Sequence, residues 1–119
     1  MPNNYDVAFR FVNDTQWTAT LEAWGPNPRG RDSGVMLILR PQEGVAFMQS
    51  ANLSYYYCVR HHGIETGFSA KIVVDTLTNI SEVVPHALPA NYSTITPLSP
   101  KAGVTVRRYR PLTHYVNGW

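Results

Sequence analysis

Few residues in this chain could do covalent chemistry. It has one cysteine, four histidines and eight acids in 119 residues. Cys58 sits in Leu53-Ser54-Tyr55-Tyr56-Tyr57-Cys58-Val59-Arg60, a run whose aromatic and branched residues predict a strand. A thiolate nucleophile needs a cation to depress its pKa and a base within reach. Here Arg60 is the only nearby cation and His61 the only nearby base, and a mid-strand cysteine is ordinarily a buried, inert thiol. No Gly-x-Ser-x-Gly elbow occurs. His61 and His62 are adjacent, and neighbours on a strand face opposite ways, so the pair cannot grip one ion. His86, His114, Asp75 and Glu65 lie apart, and neither His-x-His nor Cys-x-x-Cys spacing appears. The expectation is an exposed histidine pair in a turn, with no enzyme activity, no metal and no cofactor.

Binding chemistry is better represented. Alternation within the tyrosine run puts Tyr55, Tyr57 and Val59 on one face and Tyr56, Cys58 and Arg60 on the other. Trp17, Trp24 and the three tyrosines supply flat rings, and sugars pack their C–H faces on such rings while Asn, Asp and Arg fix orientation. Trp24 meets a long loop, where binding residues concentrate. Trp17 falls on an apolar strand face and is expected in the core. The expected ligand site is therefore Trp24 and Tyr56 as exposed rings, with Asn27, Arg29, Asp32 and Arg60 as polar contacts. Lys101, Arg107, Arg108 and Arg110 surround Tyr109, but strand alternation leaves only a two-arginine stripe on one face. Phosphate backbones are held through many cations, so a charge-protected edge strand is expected and a nucleic-acid partner is disfavoured.

The elements that must position these residues are strands. Val7, Phe9 and Phe11 alternate in a first strand, followed by a turn at Asn13-Asp14-Thr15. Trp17, Ala19, Leu21 and Ala23 alternate with Thr18, Thr20 and Glu22 in a second. Residues 25–34 carry too many Gly and Pro for regular structure. Val35–Leu39 is continuously apolar, as in a strand buried on both faces. Val45–Met48, the tyrosine run, and Phe68, Ala70, Ile72 and Val74 give three more. Between Thr76 and Pro100 four prolines loosen the pattern; Val104–Arg107 resumes it, and His114–Trp119 is an aromatic-ended tail. Strands at short spacing without helical periodicity predict an all-β, single-domain antiparallel β-sandwich over 1–119, with Ig-like topology and a late edge strand plus tail over 100–119.

Bulk composition agrees with a folded chain: 44% hydrophobic, 15% charged, net charge +2. One cysteine permits no internal disulfide. No membrane-length apolar run and no secretory leader are visible, so a cytoplasmic protein, or one released without a signal, is expected. Sequons at Asn13, Asn52, Asn79 and Asn91 read as accidents of loop composition.

Phe9-Arg10-Phe11, Pro26-Asn27-Pro28-Arg29-Gly30, Tyr55-Tyr56-Tyr57-Cys58-Val59 and Gly67-Phe68-Ser69-Ala70 fall in an order and rough spacing that resembles the fungal immunomodulatory proteins of the Fve type over the first two thirds of the chain. The resemblance implies a disulfide-free Ig-like sandwich that binds cell-surface glycans and dimerises through its N-terminal segment. The chain departs from that family in having Cys58, four histidines and three methionines. Together, residues and resemblance give a non-enzymatic, lectin-like glycan-binding homodimer. Val7, Phe9 and Phe11, with Tyr115 and Trp119, are the expected interface. The alternative is a protein-interaction or self-assembly module without sugar binding.

Overall fold

The computed structural model describes residues 5–27, 34–84 and 102–111, and the side chains of these except 108–111. Among the described residues eight strands run in chain order: β1 (Asp6–Val12), β2 (Ala19–Gly25), β3 (Val35–Leu39), β4 (Gly44–Ser50), β5 (Tyr55–His61), β6 (Ile64–Ala70), β7 (Thr76–Asn79) and β8 (Val104–Pro111). One sheet has the order β4-β1-β7, the other β3-β2-β5-β6-β8. The expected all-β sandwich is what forms. Six strands follow the order of an Ig-like sandwich, with β1–β4 placed as the B–E pair and β3-β2-β5-β6 as the C′-C-F-G sheet, while β7, parallel to β1, and β8, added beyond β6, depart from it. All pairings are antiparallel except β1 with β7.

Period-two alternation builds the core. Phe9 and Phe11 from β1 meet Tyr57 of β5 and Phe68 of β6, with ring centroids 5.2 to 6.3 Å apart across the two sheets. Leu21, Val59, Ile72, Ile80 and Val83 close around them. The Tyr57 hydroxyl is satisfied inside this core by Gln49, itself buried. The β5–β6 hairpin turns in two residues, His62 at φ 50 and Gly63 at φ 79, the positive pair that a type I′ turn requires.

Several expectations need correction. Trp17 is not core: β2 begins at Ala19, and the indole sits in the preceding loop at 44% exposure. β3 is not buried on both faces, because it is an outer strand whose Val35, Met36 and Ile38 are exposed. The strand holding Phe68 stops at Ala70; Ile72 is still buried, but Val74 is exposed. Thr76–Asn79 is a strand despite the nearby prolines, held parallel to β1 and followed by a 3-10 turn at Ile80–Glu82. Val7, Phe9 and Phe11 are consumed by the core and leave no apolar face for a partner. Tyr115 and Trp119 lie outside the described residues.

Candidate functional site

Adjacent strands bring three of the six expected site residues onto one face. Trp24 on β2, with Tyr56 and Arg60 on β5, project from the outer side of the five-stranded sheet, opposite the core residues Leu21, Tyr57 and Val59. Asn27 is exposed two residues beyond β2; Arg29 and Asp32 lie outside the described residues.

Each of the three is already committed within the chain. Trp24 is half-buried and donates its indole N–H to Glu22 Oε1 at 2.9 Å. The half-buried Tyr56 ring lies under the Arg107 guanidinium, 5.1 Å from its centroid. Arg60 bridges Glu22 at 3.4 Å and Glu65 at 3.3 Å, and both carboxylates are buried. Glu22, Trp24, Asn27, Arg60 and Glu65 hold further contacts as well. Buried carboxylates gain from such pairing because a lone buried charge is far costlier than a bridged one. Cys58 lies among them, its Sγ 3.5 Å from Glu65 Oε2. Burial, and then the Glu65 carboxylate, push its thiol up to about 12. That is the reverse of activation.

A second constellation forms where the β1–β2 loop meets the β5–β6 turn and the 3-10 turn. There Asp14, Gln16, Trp17, Gln42, His61 and Ser81 line an open cleft of about 470 Å³. Asn13, fully buried at the end of β1, builds its wall. Its side-chain N–H groups donate to the carbonyls of Trp17 at 2.8 Å and Leu39 at 2.9 Å. Its Oδ1 accepts from the Thr15 amide at 3.0 Å, an Asx-turn that folds the loop back on itself. Asp14 accepts from the Ser81 amide at 3.0 Å and from the Ser81 hydroxyl, tying the loop to the far side of the cleft. Trp17 rests on the exposed His62 ring, centroids 4.1 Å apart, and stands edge-on to His61 at 6.1 Å.

One contact here has the spacing of a nucleophile and its base: Thr15 Oγ1 lies 2.7 Å from His61 Nε2. The proton runs the wrong way for activation. Asn13 is oriented by its two donations, so its Oδ1 can only accept, and it lies 2.6 Å from the same hydroxyl. Thr15 therefore donates to Asn13, and His61 donates its Nε2–H to Thr15. Burial, helped by the neighbouring His62, lowers the His61 pKa, while Asp14 pulls it upward. His61 is thus a neutral positioning donor. Unlike the exposed pair expected from sequence, only His62 is exposed. Among the described residues no group of three His, Cys, Asp or Glu side chains is placed to hold a metal ion.

No protein-family model, curated protein or solved structure matches this chain. Trp17, expected in the core, and Asn13 and Thr15, expected only as a turn, were not among the expected site residues. Asn13-Asp14-Thr15 carried the signal, since Asn two residues before Thr favours an Asx-turn at a strand end.

Proposed function

We propose that this protein binds neutral carbohydrate through the Trp17 cleft, without catalysing a reaction on it. The observation that carries this reading is an exposed indole, braced from behind by His62, at the rim of a cleft whose other walls offer hydroxyl, amide and carboxylate groups. A braced ring gives a sugar its stacking surface at little entropic cost, and flanking polar groups set orientation. Among the described lining residues Asp14 is the one charged side chain, with no Lys or Arg. That balance favours neutral sugars over sialylated or sulfated ones. The resemblance to Fve-type proteins points to the same ligand class. Trp24, Tyr56 and Arg60 read instead as a face whose rings and charges are spent on one another.

A homodimer would carry two such clefts and raise weak single-site affinity by multivalency. Binding to an array holding neutral, sialylated and sulfated glycans tests the reading, with Trp17→Ala and Trp24→Ala alongside. Selective retention of neutral glycans, lost in Trp17→Ala at an unchanged melting temperature and kept in Trp24→Ala, is the expected result. Absence of binding above background, or a Trp17→Ala protein that binds like the parent, would overturn it.

A further inference from the structure

The four outer strands of the two sheets are unequally protected. β8 carries Arg107, Arg108, Arg110 and Pro111, with a register shift opposite Gly67 and Phe68. Charge, proline and bulges are the usual defences of a sheet edge. β7 has four residues only. β4 exposes one large apolar side chain, Met48. β3 has no such defence: Val35-Met36-Leu37-Ile38-Leu39 contains no charge, proline or bulge, and Val35, Met36 and Ile38 are 55%, 58% and 67% exposed. Among the described residues β3 forms its ladder with β2 alone.

We propose that β3 pairs antiparallel with β3 of a second copy about a two-fold axis at Leu37, joining the two five-stranded sheets into one. The strand is self-complementary in that register. Val35 falls opposite Leu39, and Met36 opposite Ile38, on both sides of the axis, so every apolar side chain meets an apolar one. Met36 and Ile38 project from the outer face, as their pairing with Glu22 and Thr20 fixes, and four such side chains form one patch across the axis. The nearest charge, Arg40, falls opposite Gly34. The two copies of Arg40 then stand roughly 20 Å apart at ~3.4 Å per residue. That exceeds the Debye length of about 8 Å at physiological salt, so like-charge repulsion does not oppose the pairing. Backbone hydrogen bonds supply affinity and the matched side chains supply register, as in β-augmentation.

This pairing does not rest on the sugar reading, and mass measurement tests it separately. Sedimentation velocity over a wide concentration range should show a species of twice 13.4 kDa that dissociates on dilution. Ile38→Lys puts a charge on an already exposed position and should give a monomer with unchanged circular dichroism, while Met48→Lys on β4 should remain dimeric. Leu37→Cys should form an intermolecular disulfide on mild oxidation, because the two copies meet at the axis. A wild-type protein monomeric at every concentration, or an Ile38→Lys protein as dimeric as the wild type, would overturn the proposal.

Discussion

Replacing Asn13 with alanine should cost more than any other polar substitution in the cleft wall. The side chain is fully buried and makes four hydrogen bonds, to the carbonyls of Trp17 and Leu39 and from the amide and hydroxyl of Thr15. A buried polar group left without its partner costs about 1–3 kcal/mol. The Leu39 carbonyl, in a buried residue, bears that penalty nearly in full, whereas Thr15 and Trp17 lie near solvent and recover part of theirs from water. The sum is about 3–4 kcal/mol for Asn13→Ala, a large share of the ~5–15 kcal/mol that holds a domain folded. Asn13→Asp should be worse at neutral pH, since it sets a buried carboxylate against two carbonyl oxygens where donors stood. Its carboxyl would be pushed toward the neutral form, so its deficit relative to wild type should shrink on acidification while that of Asn13→Ala stays constant. Urea denaturation of all three proteins at pH 7 and pH 5 measures this, with an unchanged m-value as the control for two-state unfolding. An Asn13→Ala protein within about 1 kcal/mol of wild type would refute the reasoning. The same geometry bears on glycosylation. A glycan on Asn13 Nδ2 would replace one of its two donating hydrogens and would need room that the fully buried side chain lacks, so that sequon is closed in the folded protein, whereas Asn52 is exposed.

Three further outcomes follow. Cys58, with its thiol pushed up to about 12, should resist alkylation at pH 7.5 in the native protein and react at once in denaturant; native labelling at the rate of a free thiol would contradict the packing of that face. His61 has a folded pKa below its unfolded value, so the unfolded chain takes the proton first. Its stabilising contribution is complete above about pH 6.5 and is lost as pH falls through the folded value. The melting temperature should drop between pH 7 and 5.5, and a His61→Gln protein that shows the same slope would exclude His61 as the cause. Among the described residues the buried hydroxyls of Thr66 and Thr78 find no partner. Thr66→Val should therefore raise stability by about 1 kcal/mol, read as a higher urea midpoint, and a lower midpoint would mean the hydroxyl is satisfied.

The sandwich was legible because burial on one face leaves a period of two, and Phe9/Phe11, Leu21, Tyr57/Val59 and Phe68/Ala70 all obey it. Alternation also put Tyr56 and Arg60 on one face of their strand, and the β2–β5 pairing brings Trp24 to the same face. Alternation placed Glu22 outward too, but it could not show that Glu22 reaches Arg60, or that Glu65 and Arg107 occupy that face, since those contacts join different strands. β3 was misread for a definite reason. A continuous apolar run looks the same whether it lies in the middle of a sheet or at its edge, and only the strand order separates the two. Trp17 was misread because alternation was extended two residues past the start of β2, into a loop whose course is set by the Asn13 side chain.

The central place of β1 in its sheet has a kinetic consequence. Its neighbours are β4 and β7, and Tyr5 and Ala8 bond across separations of 68 and 67 residues to Val73 and Asp75. During synthesis β1 leaves the ribosome well before β7, so its second edge stays uncovered until residues 76–79 follow. Val7, Phe9 and Phe11 meanwhile stay open to solvent and to any holdase that recognises extended apolar segments. Closing such long loops before any contact repays them puts folding in the millisecond-to-second range of all-β sandwiches. The interval in which the nascent chain is most exposed to aggregation is therefore set by the arrival of residues 76–79.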